Sequence, residues 1–339
     1  MKYIIGKIHL WLLAIACSLL AVGCSSDHAD EQETASTLQV MPYTATYHES
    51  DFLMRSVSAG YTAYNPDHDL AIGLYVLPEE TPTVKLIRYS SGEWHSQAKV
   101  VGGNTYSIYG YMPKKDPITS TISQSGENVV LTLTDIPAVS ADDVCVITGV
   151  KDMTGDLLQG SFAYEGLSDN NYVRLLLDHL FASVRIHFAI DAEYSALRSI
   201  KLKKLTLIST SASATATIVL RPNATGIDPV QSVNYVSTGS TSSAMFFEST
   251  TGEDLTSAVV SDYSCCFAPI LSNTLTLVST YDVYDRKGNK IRENCTATNK
   301  LPNLSAARGQ RVTLDLTVAP TYLGVLSEPD LDNPTFTVN

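Results

Sequence analysis

The stretch LFASVRIHFAI, residues 180–190, places an apolar side chain at every second position. A period of two puts alternate side chains on one face of a β-strand, so the stretch predicts a strand with one buried face. The same alternation occurs in residues 129–133, 275–283 and 312–318. Thr, Ser, Val and Tyr are abundant, and these residues favour pleated surfaces. The patterning therefore indicates an all-β fold.

Turn signals such as Ser91-Gly92 and Thr251-Gly252 recur between these stretches. Many short strands separated by turns indicate β-sandwiches. Residues 191–200, DAEYSALRSI, predict one or two helical turns. The alternation of apolar and polar residues shifts by one position at Lys203-Lys204, which predicts a bulge or a strand break there.

The chain length suggests two domains. The polar, turn-rich sequence GLSDNN, residues 166–171, precedes the longest strand signal. We therefore expect an N-terminal β-sandwich over residues 37–168 and a C-terminal β-sandwich over residues 169–339.

The N-terminus has the form of an export signal. Two lysines precede an apolar run over residues 10–22, which is short for a membrane span of about 20 residues. The run ends in Leu20-Ala21-Val22-Gly23-Cys24, which resembles a lipobox. We predict a lipoprotein signal peptide over residues 1–23, cleavage between Gly23 and Cys24, and lipidation of Cys24. The alternative is an ordinary signal peptide with an incidental Cys24.

Residues 24–36 are polar and acidic and predict a flexible tether, because they cannot bury a core. Acidic residues directly after the lipid cysteine also resemble the surface-export signal of lipoproteins in Gram-negative gut and oral anaerobes. The net charge of the whole chain is −12. A nucleic-acid partner is not expected, since that surface would need clustered Lys and Arg.

Four cysteines remain in the body of the chain: Cys145, Cys265, Cys266 and Cys295. The adjacent pair should point to opposite faces of a strand. Export permits disulfides, but the sequence leaves the connectivity open, and free core thiols are the default. No C-x-x-C or His spacing supports a metal site, so neither a metal nor a cofactor is expected.

No sequence motif of catalysis is present. Asp67-His68-Asp69 follows a proline and predicts a solvated turn. Asp178-His179 would be half of a triad, but no nucleophile motif accompanies it. We therefore expect no catalytic residues and no enzyme, unless a deep pocket holds His179 with a carboxylate. Four aromatic residues should fill a core and its margin, although they would also suit a carbohydrate surface. These are Trp94, Tyr106, Tyr109 and Tyr111.

Two further stretches, GNTYSIYGYMP (residues 103–113) and LDHLFASVRI (residues 177–186), complete a pattern. The first resembles a Y-x-x-Y-x-Y-x-P strand and the second an L-x-H-x-(F/L)-A-x-V strand. Together with the lipobox, the acidic tether and two all-β domains, they make the chain similar to the fimbrillins. These proteins are subunits of the type V pili of Gram-negative gut and oral anaerobes.

The resemblance implies two transthyretin-like β-sandwiches in an outer-membrane lipoprotein that serves surface adhesion in a fimbrium. It implies that an arginine-specific protease removes the N-terminal strand, which leaves a hydrophobic groove. A strand of another pilus subunit then fills this groove, a form of binding known as β-augmentation. The other implied partners are the outer membrane, through the lipid on Cys24, and a ligand on a host or bacterial surface.

Arg55 is the only arginine before Arg88, so it is the candidate processing site, although it would also suit a strand facing water. The tail over residues 319–339 is the candidate donor strand or, equally, a terminal strand of its own domain. Its apolar residues are Tyr322, Leu323, Val325, Leu326, Phe336 and Val338.

Within this interpretation the chain would be a shaft, an anchor or a tip subunit, and the tail favours the shaft. The alternative from another class is a surface lipoprotein that binds glycans or host protein without polymerising.

Overall fold

The computed structural model describes residues 35–49, 61–101, 105–150, 161–163, 172–221, 230–256, 261–270, 274–301, 304, 306–322 and 328–338. Within these ranges the chain is almost entirely strand, and its one helix is α1, Ala192–Ser195. The predicted all-β fold class is confirmed. The strands, in chain order, are β1 Ser36–Thr37, β2 Gln39–Ala45, β3 His48–Glu49, β4 Tyr61–Ala63, β5 Leu70–Leu77, β6 Lys85–Ser90, β7 Glu93–Ser96, β8 Lys99–Val100, β9 Thr105–Met112, β10 Thr119–Ser125, β11 Asn128–Pro137, β12 Val139–Ser140, β13 Cys145–Val150, β14 Ser161–Ala163, β15 Tyr172–His179, β16 Ala182–Ile190, β17 Ser199–Ser209, β18 Ser213–Leu220, β19 Val230–Thr238, β20 Ser242–Asp254, β21 Ser261–Phe267, β22 Leu275–Tyr284, β23 Lys290–Leu301, β24 Gln310–Tyr322 and β25 Pro329–Val338.

Four larger sheets organise these strands across the described ranges. Sheet A has the order β4-β2-β15-β13-β9-β5-β6-β7, with β14 beside β9. Sheet B has the order β12-β21-β16-β24-β25, with β3 beside β24. Sheet C is β10-β11-β18-β19, sheet D is β20-β17-β22-β23, and β1 pairs with β8.

The core of sheets B and D explains the alternation in residues 180–190. Val184, Ile186 and Phe188 are fully buried and share one cluster with Leu205 and Leu207 of β17. The polar side chains between them are less buried, because they point to the other face of the strand.

Sheet A has apolar residues on both faces. Tyr109 and Tyr111 of β9 pack with Leu131 of β11, which belongs to sheet C. Ile108, the residue before Tyr109, points to the other face of the strand and belongs to a separate core that also contains Val173. The chain therefore buries both sides of its largest sheet.

Two local predictions are confirmed. The pairing of β17 with β22 shifts register between Leu202 and Lys204, which is the bulge indicated by the change of apolar phase. The short helix α1 begins where expected, because the Asp191 carboxylate accepts a hydrogen bond of 2.9 Å from the Tyr194 amide.

The division into sandwiches at residues 168 and 169 stays a prediction, and the strand pairing adds a fact that bears on it. β15 pairs with β13 and β2 in sheet A, and the chain passes to sheet B through Leu180 and Phe181. Sheet C also combines strands from both sides of the expected boundary, since β11 pairs with β18. The sheets therefore extend across that boundary.

Candidate functional site

Residues 36–49, from the start of β1 to the end of β3, are called here the N-terminal segment. Its strand β2 pairs in parallel with β15 over six positions and antiparallel with the short β4. Leu38 is fully buried and Val40 is 9% exposed, and both belong to a core of sheet A. Pro42 lies within β2 and has no amide hydrogen, so β2 donates no hydrogen bond to a neighbouring strand at this position.

The end of the N-terminal segment reaches sheet B. The His48 amide donates to the Gly309 carbonyl at 2.9 Å, and β3 pairs in parallel with the start of β24. The Glu49 carboxylate lies 3.8 Å from the Arg185 guanidinium, in a partly exposed ion pair. The segment therefore connects the two largest sheets.

Five polar side chains meet where this segment crosses from sheet A to sheet B. We call them the His179 cluster, and they are Tyr47, Asp143, Cys145, His179 and Cys266. The sheet explains part of the arrangement, because Cys145 and His179 are direct cross-strand partners on β13 and β15. Asp143 lies two residues before Cys145, a spacing at which side chains of an extended chain share a face.

His179 is held on both ring nitrogens. Its Nδ1 lies 2.6 Å from Asp143 Oδ2, and its Nε2 lies 2.8 Å from the Ala45 carbonyl oxygen. Both partners are acceptors, so both nitrogens carry protons and the ring is an imidazolium. The Tyr47 ring stacks on it with centroids 3.6 Å apart, and the Tyr47 hydroxyl donates to Asp143 Oδ1 at 2.7 Å.

The protonation of the ion pair follows from burial and charge. Burial alone would lower the pKa of His179, but the Asp143 carboxylate outweighs this effect and raises the pKa above its ordinary value. Burial alone would raise the pKa of Asp143, and the His179 charge instead holds that pKa low. Each charge therefore favours the ionised form of the other side chain.

The two thiols of the cluster are protonated. Burial, followed by the Asp143 charge, raises the pKa of Cys145 and of Cys266 well above the ordinary value. Cys145 Sγ lies 3.8 Å from His179 Nδ1, the same nitrogen that bonds Asp143. A nucleophilic triad needs the nucleophile and the acid on opposite ring nitrogens. This geometry does not activate Cys145 as a nucleophile, although His179 is buried with a carboxylate.

The sequence also singles out Asp178 and the turn Asp67-His68-Asp69. The Asp178 carboxylate accepts a hydrogen bond of 2.6 Å from the Tyr61 hydroxyl. His68 is at the surface, with Nδ1 2.6 Å from Asp67 and Nε2 3.2 Å from Asp142. This His68 turn borders a surface pocket of about 370 Å³ that also contains Arg88 and Lys114.

The four cysteines are free thiols, and the adjacent pair faces two different cores. Cys265 belongs to the core of sheets B and D, whereas Cys266 belongs to the core of sheets A and C. Their opposite orientation on β21 is as predicted. Cys295 is half-buried on β23.

The aromatic set is mostly core. Tyr109 and Tyr111 are almost fully buried, and Tyr106 and Trp94 pack at the margin of a core of sheet A. Trp94 lies beside Tyr89, with ring centroids 5.0 Å apart. The sequence favours a core and its margin over a carbohydrate surface for these residues, and the observed packing is that of a core and its margin.

The C-terminal tail folds onto its own chain. β25 forms the edge of sheet B by pairing with β24, and Phe336 packs 4.7 Å from Tyr281 between ring centroids. Val338 also packs against this core. This arrangement is that of a terminal strand, one of the two alternatives that the sequence left open.

Several predicted sites lie outside the described residues. They are the signal peptide over residues 1–23, Gly23, Cys24, Arg55, Leu323, Val325 and Leu326. Tyr322 ends β24, where its backbone pairs with Pro329. Among the helices that are described, none is long and apolar enough to cross a membrane.

Sequence reasoning did not bring together Tyr47, Asp143, Cys145 and His179. The sequence predicts a free core thiol at Cys145 and does not single out Asp143. The usable signals were the Asp-x-Cys spacing and the histidine at the end of a strand. Neither signal indicates that β13 and β15 pair in the register that joins them.

Comparison with known proteins gives structural similarities at low identity. A putative cell adhesion protein from Bacteroides ovatus is 13% identical, with a TM-score of 0.40, over 90% of this chain and 96% of that one. A fimbrial protein from Bacteroides vulgatus is 13% identical, with a TM-score of 0.34, over 88% and 98%. The fimbrial anchor protein Mfa2 from Porphyromonas gingivalis is 11% identical, with a TM-score of 0.29, over 88% and 97%. No family model and no curated protein matches the chain. The similar structures are thus fimbrial and cell adhesion proteins, and likeness at this level assigns no function to the chain.

Proposed function

We propose that the chain is a fimbrillin-like subunit of a surface fimbrium. It is exported as a lipoprotein, anchored in the outer membrane through Cys24, and assembled with other subunits by strand exchange to serve adhesion. The lipobox, the acidic tether and the two strand motifs of the sequence support this proposal. The observation that carries it is the placement of the N-terminal segment, which fills sheet A upstream of the candidate processing site Arg55.

The N-terminal segment has the properties of a strand that can be replaced. It contributes two buried apolar side chains, Leu38 and Val40, whose burial stabilises the fold by about 1.5–3 kcal/mol each. Removal of β2 would expose these core positions and the edge of β15, which is its parallel partner. An exposed edge beside an open core binds an extended peptide by main-chain hydrogen bonds and side-chain pockets.

The candidate donor is the tail over residues 319–339. In the single chain its strand β25 occupies an edge of sheet B and buries Phe336 at 6% exposure. An edge strand has one hydrogen-bonded neighbour, so it can leave without breaking the sheet in two. Strand exchange of this kind is head-to-tail, and repetition yields a filament.

The role we propose is structural rather than enzymatic. The His179 cluster brings together a histidine, a thiol and a carboxylate, which are residue types used in catalysis. However, the Cys145 thiol and the Asp143 carboxylate both lie at the same ring nitrogen of His179. Its burial and its ion pair suit a structural contact that fixes the N-terminal segment.

The test is limited digestion of the purified, unlipidated protein with an arginine-specific protease. We expect a new N-terminus after Arg55 and, without heating, a detergent-resistant ladder on a denaturing gel. Arg55→Ala should abolish the ladder, whereas Arg88→Ala, which removes an exposed arginine from β6, should leave it unchanged. A wild-type chain that stays intact at Arg55 and monomeric would exclude a shaft subunit.

A second candidate function is ligand binding by a non-polymerising surface lipoprotein, either a pilus anchor or an adhesin. The surface pocket beside His68 favours it, because Arg88, Lys114 and Tyr89 line a volume in the range of small-ligand sites. Binding of acidic glycans on an array, lost in a chain with Arg88→Ala and Lys114→Ala, would support this function. Equal binding by wild type and variant would exclude the pocket.

A further inference from the structure

The His179 cluster combines the side chains that bind thiophilic metal ions. Donor atoms of Asp143, Cys145 and His179 all lie within 4.8 Å of one another. A fourth candidate, Cys266 Sγ, lies outside this group of three but 4.0 Å from Asp143 Oδ1. Thiolate, imidazole and carboxylate are all ligand types that zinc binds.

We propose that the His179 cluster binds a divalent thiophilic cation such as Zn²⁺, with Asp143, Cys145, His179 and Cys266 as ligands. The site is separate from the pocket beside His68. The proposal does not depend on strand exchange.

The distances agree with this assignment at the Cys145 sulfur and require adjustments at the carboxylate and at the Cys266 side chain. Zinc–sulfur and zinc–nitrogen bonds at a tetrahedral angle put the two ligand atoms about 3.6 Å apart. Cys145 Sγ and His179 Nδ1 are 3.8 Å apart. The 2.6 Å between His179 Nδ1 and Asp143 Oδ2 is shorter than the separation of about 3.3 Å between two such ligands. A proton bridges these two atoms, and the cation would take its place as the carboxylate moves back.

The surroundings of the ligands are those of a built site. Metal-binding histidines usually donate the other ring N–H to a carbonyl or carboxylate, which fixes the ring. Here His179 Nε2 donates to the Ala45 carbonyl at 2.8 Å, so Nδ1, which now bonds Asp143, is the nitrogen that would bind a metal. The Tyr47 hydroxyl holds the Asp143 carboxylate in the same way, from its other oxygen.

Proton and charge balance sets the conditions for binding. The imidazolium releases one proton from Nδ1 and each thiol releases one, while Asp143 is already a carboxylate. The cation with one carboxylate, two thiolates and a neutral imidazole carries a net charge of about −1. Arg311 can oppose this charge, because its guanidinium lies 4.9 Å from the Tyr47 ring. Thiolates and imidazole favour Zn²⁺ over Mg²⁺ or Ca²⁺.

The experiment is a Co²⁺ titration of the exported chain, from residue 24 onward, with Cys24→Ala to remove a competing thiol. We expect one equivalent of Co²⁺ to give thiolate charge-transfer absorption and tetrahedral ligand-field bands, which Zn²⁺ then abolishes. Cys145→Ser and Cys266→Ser should each weaken binding at least 10-fold, since each removes a ligand. Cys295→Ser is the matched control and should bind like the parent chain.

A second measurement uses only the parent chain, so its result does not depend on whether a variant folds. Zn²⁺ added to the parent chain should raise Tm, whereas Mg²⁺ should not. Absence of thiolate absorption in the parent chain would overturn the proposal, and so would equal weakening by Cys295→Ser. An unchanged Tm in Zn²⁺ would also overturn it.

Discussion

The buried ion pair at the centre of the His179 cluster gives a quantitative prediction. His179→Gln removes the positive partner and leaves the Asp143 carboxylate, 19% exposed, without a counter-charge. Removing one member of a buried pair destabilises a fold by about 3–5 kcal/mol. We therefore expect a loss of about 3–5 kcal/mol in the free energy of unfolding at pH 6, measured by urea denaturation in EDTA.

The pH dependence of this loss follows from the two pKa directions. The pKa of His179 is raised in the fold, so its contribution is complete below the ordinary value of 6.5 and disappears as pH rises through the raised pKa. The pKa of Asp143 is lowered, so its contribution is complete above 3.8 and disappears as pH falls through the lowered pKa. The difference between wild type and variant should be largest between these ordinary values.

The control for this prediction is another histidine–carboxylate pair on the same molecule. His187 Nδ1 lies 3.0 Å from Asp315, whose side chain is 66% exposed. His187→Gln should cost about 0–1 kcal/mol, because exposed pairs contribute little. A loss below about 1 kcal/mol in His179→Gln, or equal losses in both variants, would refute the reasoning about the buried pair.

Three further predictions concern packing and are measured by thermal or urea unfolding. Leu38→Ala should lose about 2–5 kcal/mol because it leaves a cavity under the N-terminal segment, while Val236→Ala, at an exposed position, should lose under about 0.5 kcal/mol. Phe336→Ala should lose about 3–5 kcal/mol, and equal stability would show that the tail does not pack on its own core. Gly110→Ala should lower the yield of folded protein, since its new Cβ would overlap the Gly73 carbonyl oxygen. A normally folded Gly110→Ala chain would contradict the close approach of β5 and β9.

Local features of the fold were predictable because they depend on neighbouring residues. The alternation in residues 180–190 identified β16 and its buried face, and a phase change identified the bulge at Lys203. Asp191 marked the start of α1, because an acidic side chain there can cap the first turn.

Long-range features were not predictable from one sequence. The pairing of β11 with β18 joins strands from both sides of the expected domain boundary, and no periodicity reports it. The His179 cluster depends on the register between β13 and β15 and on a tyrosine from near the start of the chain. Alternation shows which face of a strand is buried, but it does not show which strand lies beside it.

The double attachment of the N-terminal segment has a kinetic consequence. Its residue His48 pairs with Gln310, near the opposite end of the chain. Contacts between such distant residues close a very long loop, and folding slows as the separation of contacting residues grows. During synthesis the segment emerges before the other described strands, yet β24, the partner that completes its pairing, emerges among the last strands. In the nascent chain β2 can pair with β15, but β3 has no partner until β24 has been synthesised, and in that interval the end of the segment is open to contacts with other chains.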